Sequence, residues 1–151
     1  METVNYQYQV LRYRHDVATG EFVNVGLVYF DTQTHFLHVR MTKKTERIAR
    51  FFGEIESEHL LRTFKGLETA FNRIENIHSF ISVNEITKHI LPPNDNALSF
   101  SPTVKGFDID GHDSAFDDLY FTLIGKYNGE KIEETRPKNK TKQAEPQLVW
   151  V

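Results

Sequence analysis

The chain has no cysteine among its 151 residues. Disulfides, thiolate-held metals and cysteine nucleophiles are thereby excluded. It also lacks a basic excess: 18 Lys plus Arg stand against 21 Asp plus Glu, a net charge of −3. That excludes a strongly basic whole-chain footprint for nucleic acid and leaves room only for a local patch. No apolar run approaches the roughly 20 residues of a membrane span. The opening residues, Met1 to Asn5, have neither the basic nor the apolar region of a signal peptide, so the expected location is the cytoplasm. Nucleophile elbow, P-loop, dinucleotide fingerprint and HExxH are all missing. The sequence therefore assigns no catalytic residue, no cofactor and no metal.

What the chain does have is aromatic bulk: 12 Phe, 6 Tyr and 1 Trp. Each buried ring removes on the order of 150–250 Å² from water, so a single domain of this size can build a core without staples.

The hydrophobic pattern begins with strands. Tyr6, Tyr8 and Val10 alternate with Leu11 and Tyr13, and Arg12 and Arg14 continue the Tyr6 face. After the Thr19-Gly20 turn, residues 21–31 are apolar on both faces, which predicts a central strand. Phe36–Met41 predicts a third strand. The connections are too short for crossover helices, so these form an antiparallel meander.

The period then becomes helical. Ile48, Phe51 and Phe52 mark a helix over 45–52. A longer helix runs from Ser57 through Asn76, with Leu60, Phe64, Leu67, Phe71 and Ile74 as its apolar stripe. Ser82–Glu85 forms a capping box for a short helix to Leu91. Residues 97–104 predict a strand that Pro102 confines to an edge or a strand end, and Gly106–Gly111 predict a loop. Ser114 then caps a helix carrying Phe116, Leu119, Tyr120, Leu123, Ile124 and Tyr127, stopped by Asn128-Gly129. The fold expected is α+β: an antiparallel sheet on an N-terminal three-strand meander, with helices packed on one face. It occupies residues 1–129. Residues 130–151 form a tail with a basic stretch and an apolar end, Leu148-Val149-Trp150-Val151.

Several clusters invite chemistry. Asp108, Asp110, His112 and Asp113 crowd a glycine-bounded loop, the oxygen-rich kind that binds hard cations. An EF-hand register fails there, and negative charge at a helix start is favourable by itself. Glu21 with His15 or Asp16 offers an acid/base pair, against the plainer reading of a solvated hairpin end. Lys43, Lys44, Arg47 and Arg50 cluster at a helix start, with Arg12, Arg14 and Arg40 as neighbours if the strands run as expected. Such a patch meets phosphates or an acidic partner, or is an ordinary solvated face. Arg136, Lys138, Lys140 and Lys142 extend the basic character into the tail.

Tyr6-Gln7-Tyr8-Gln9-Val10-Leu11-Arg12-Tyr13 followed by Gly20-Glu21-Phe22-Val23-Asn24-Val25-Gly26 resembles the opening of the bacterial family called domain of unknown function 3037. The resemblance extends to about residue 128 and includes Ser101-Pro102. It implies no activity and no catalytic residues. It implies an association with HipA-like kinases, hence a partner or accessory role. Within its motif, Gly26 reads as close packing or a bulge, Asn24 as a strand-end or cross-strand hydrogen bond, and Glu21 as an ion-pair partner of Arg12.

Three functions follow as expectations. The first is a non-enzymatic protein-interaction module, binding another protein or itself through Leu148–Val151, with Leu148 and Trp150 as contact residues. The second is a nucleic-acid-binding module using residues 43–50 and the tail. The third is a metal-dependent enzyme using the Asp108–Asp113 loop.

Overall fold

The computed structural model describes residues 4–15, 18–53, 55–92, 97–108 and 111–130. Five strands make one antiparallel sheet: β1 (Val4–Tyr13), β2 (Val23–Phe30), β3 (Leu37–Met41), β4 (Leu98–Phe100) and β5 (Val104–Asp108). β1, β2 and β3 form the expected meander. β4 and β5 share the far side of β1, β4 against Leu11–Tyr13 and β5 against Val4–Tyr8. Among the described residues four α-helices complete the α+β fold: α1 (Glu46–Phe52), α2 (Ser57–Asn72), α3 (Val83–Ile90) and α4 (His112–Leu123). No helix of the described residues is long and apolar enough to cross a membrane.

The helices do not all lie on one face, and that part of the expectation is corrected. Leu11, Val23, Val25, Val28 and Phe30 pack against Ile48 of α1, Leu60, Phe64 and Phe71 of α2, and Val83 and Ile86 of α3. Val10, Leu27 and Tyr29, on the opposite face, pack against Ala115, Phe116 and Tyr120 of α4. The cause is β2 itself. Its apolar residues point both ways, and each face needs cover.

A bulge organises β2. Leu11 pairs with Gly26, but Arg12 pairs with Asn24, so Val25 is the extra residue. An extra residue inverts the alternation beyond it. Val23 and Val25 thus share a face with Val28 and Phe30, while Leu27 and Tyr29 turn to α4. Thr42 N–H donates to the Val25 carbonyl at 2.7 Å, which satisfies the bulged peptide. Gly26 also permits close approach. A Cβ there would stand 2.2 Å from Met41 Sδ.

The predicted strand over 97–104 is two strands, and the predicted loop after it begins one residue group too early. Pro102 has no N–H for the ladder. At the break, Ser101 N–H donates to the Val10 carbonyl and Val10 N–H donates to Ser101 Oγ, both at 2.8 Å, so the hydroxyl replaces a ladder carbonyl. The strand then resumes as β5 through Gly106, which read as loop in the sequence. α4 likewise starts at His112, not after a Ser114 cap; its N-cap is Gly111. It stops at Leu123. A 3₁₀ turn over Gly125–Asn128 follows, and Gly129 takes the left-handed conformation that glycine favours.

Candidate interaction surface

β5 pairs with β1 along one side, and among the described residues no strand pairs with its other side. The opposite edge of the sheet differs: there Met41 N–H of β3 donates to Glu68 Oε2 of α2 at 2.6 Å. Natural edges are blunted by proline, bulges, charge or a covering element. Within β5 only Lys105 and the terminal Asp108 are charged, and there is no proline. Phe107 is 68% exposed and Val104 43%. Gly106 lies opposite Tyr6, whose ring covers it so closely that a Cβ would stand 2.7 Å from the ring. Ile81, two residues before the start of α3, is 73% exposed. Val83 N–H donates to Gln7 Oε1, and Gln7 is the cross-strand partner of Lys105, which ties the start of α3 to β1 opposite β5. The result is an open backbone edge with exposed apolar side chains beside it.

The break between β4 and β5 opens a second feature, a cleft of about 480 Å³ between α3 and the sheet. Gln9 lies buried at its base. Its Nε2 donates to Asn84 Oδ1 and to Thr103 Oγ1, both at 3.1 Å, and its Oε1 accepts from Thr87 Oγ1 at 2.5 Å. Both amide N–H groups and the carbonyl oxygen are thus engaged. Sequence reasoning missed Gln9, Asn84, Thr87 and Thr103. The available signal was a glutamine on the strand face that continues through the apolar Leu11 and Tyr13, with Gln7 as a second polar residue on that face.

The residues singled out from sequence fall into separate places. Asn24 is structural: its Nδ2 donates to the Leu123 carbonyl at 3.3 Å and holds the end of α4 on the sheet. The expected Glu21–Arg12 ion pair does not form among the described residues. Arg12 instead lies 4.3 Å over the exposed ring of Phe22, while Glu21 is exposed, its N–H donating to Thr19 Oγ1. Arg14 is half-buried. Of the basic cluster, Lys44 Nζ donates to the Gly129 carbonyl at 3.0 Å, and the Arg47 guanidinium lies 5.3 Å from the Tyr127 ring centre. Lys43 and Arg50 are exposed. Arg40 turns away, under α4, to Asp117 at 3.4 Å. Leu148 and Trp150 lie outside the described residues, as does Asp110 of the acidic loop. Among the described residues no three His, Asp or Glu come together as metal ligands.

Beneath α4 runs a polar network that the sequence did not reveal. Asp31, 2% exposed, meets His112 Nε2 through Oδ2 at 3.2 Å, and His112 Nδ1 meets Tyr29 Oη at 2.9 Å. Asp31 Oδ1 accepts from the Gln33 and Thr34 N–H groups, which fixes the carboxylate in the β2–β3 turn. Phe36 stacks on His112 with ring centroids 4.4 Å apart. Tyr29 is fully buried, so this relay is closed and serves to seat the first turn of α4. At the far end, Glu130 accepts from Tyr120 Oη and Thr42 Oγ1. Burial raises the Tyr120 phenol, and the adjacent Glu130 carboxylate raises it further. His38 is lowered to about 4, first by burial, then by Arg40, with Asp113 partly opposing.

The family described as "Protein of unknown function (DUF3037)" matches the chain over residues 8–124. Nothing matches among curated proteins or among solved structures.

Proposed function

The chain belongs to that family, and since membership brings no activity with it, we propose from its own geometry a non-enzymatic protein-interaction module whose β5 edge takes up an extended apolar segment. The observation that carries this reading is the open β5 edge with Phe107 and Val104 exposed beside it. Strand addition draws affinity from main-chain hydrogen bonds and specificity from alternate side chains. β5 offers the main-chain edge, with Val104 and Phe107 exposed on its two opposite faces.

The chain holds one segment of suitable chemistry. Leu148-Val149-Trp150-Val151 is β-branched and aromatic, the composition that strands favour. Its pairing with β5 would make the module self-associating or self-capped. A partner protein with a similar segment competes for the same edge, and a HipA-like kinase in the bacterial cytoplasm is the partner class that the family resemblance implies. The basic 43–50 patch supports nucleic-acid binding less well, because Lys44 and Arg47 are engaged with the turn at Tyr127–Gly129.

The test is a pair of variants, Phe107→Asp and deletion of residues 146–151, measured for oligomeric state and for partner recovery from the native host. A change in either property in both variants supports the reading. Unchanged behaviour in both variants and both assays sinks it.

A further inference from the structure

The two bonds that Gln9 Nε2 donates fix the roles of their acceptors at the cleft above it. Because Asn84 Oδ1 and Thr103 Oγ1 both accept from Gln9, the Asn84 Nδ2 group and the Thr103 hydroxyl hydrogen are left as donors. Neither makes a hydrogen bond among the described residues. Lys88, on the same helix, adds a cation at the rim, and Ser99 a further hydroxyl. No Asp or Glu is among the described residues that line the cleft. Leu91 and Phe100 supply apolar wall. The volume, about 480 Å³, is within the range of small-ligand sites.

We propose that this cleft binds a small organic carboxylate. The carboxylate accepts from Asn84 Nδ2, Thr103 Oγ1 and Lys88 Nζ, and an apolar body lies along Leu91 and Phe100. Gln9 is a positioning residue: it touches no ligand but sets which way the Asn84 amide and the Thr103 hydroxyl point. The site is separate from the β5 edge and stands or falls independently of it.

The probe is N-acetylphenylalanine, titrated into the full chain and followed by amide resonances, with N-acetylphenylalaninamide as the uncharged control. The expected result is saturable shifts confined to residues 84–88, 99–101 and 103, with the uncharged control at least fivefold weaker. Asn84→Asp retains an oxygen for Gln9 and places an acid in the first turn of α3, where the helix dipole favours it. It should fold normally and bind the probe at least tenfold more weakly. Lys88→Gln, on an exposed residue, should weaken binding severalfold. Absence of shifts at millimolar probe, equal binding of acid and amide, or unchanged binding by Asn84→Asp would each overturn the proposal.

Discussion

His38 of β3 lies flat on Phe116 of α4, ring centroids 3.7 Å apart and planes 9° from parallel. The stacking removes the imidazole from water beside the Arg40 guanidinium, and its pKa drops from 6.5 to about 4. The sign follows from linkage. Between pH 6.5 and 4 the unfolded chain binds a proton at this residue that the folded chain does not, so acid favours unfolding. The loss grows as pH falls from 6.5 and levels off below 4. A shift of this size corresponds to at most about 3–4 kcal/mol, less whatever solvent screens. His38→Phe, with chemical denaturation across pH 4–7, should give a flatter stability profile than the parent. Parallel profiles would contradict this assignment.

Gly26 and Met41 form a second coupled pair. A methyl group on residue 26 meets Met41 Sδ within 2.2 Å, so Gly26→Ala should cost about 1–3 kcal/mol through overpacking. Met41→Ala alone should cost about 2–5 kcal/mol through the cavity. The double variant should lose less than the sum, because each change relieves the other. Additive losses in a denaturation cycle would mean that the contact does not constrain the bulge.

Asp31→Asn tests the seat of α4. It removes the charge that faces His112 Nε2 and weakens the turn that Oδ1 organises. A loss of about 1–3 kcal/mol is expected for a buried charged hydrogen-bond group. Amide exchange should rise first over His112–Phe116, with little change in α2. Uniform acceleration across the chain would show global destabilisation and no local tether.

Glu130 lies one residue past the boundary read from composition, yet it holds Tyr120 and Thr42 together. Glu130→Ala should lower stability by about 1–2 kcal/mol. A neutral outcome would return residue 130 to the tail.

The order of elements was legible because it rests on hydrophobic period. The meander, the α2 stripe and the Ser82 cap, whose Oγ accepts from Glu85 N–H, each come from local pattern. The two-faced placement of helices was half-legible. Residues 21–31 announced two apolar faces, but the Val25 bulge that sorts them depends on register with β1. β5 was hidden by Gly106, which resembles loop in sequence and becomes strand only with Tyr6 across from it. The Gln9 hub and the Tyr29–His112–Asp31 relay join residues 75 to 94 and 81 to 83 apart respectively. No local pattern carries such pairings. The basic cluster was visible as composition, but its uses by Gly129 and Tyr127 are tertiary.

Strand addition at the open β5 edge is tested by amide hydrogen exchange over Val104–Asp108. The comparison is between the full chain and the chain lacking residues 146–151. Outward-facing β5 amides should be protected in the full chain, should exchange faster after the deletion, and should regain protection on adding a peptide of residues 145–151. Phe107→Asp should block that recovery without altering exchange in β2. Equal, rapid exchange of those amides in both chains, unaffected by the peptide, would contradict it.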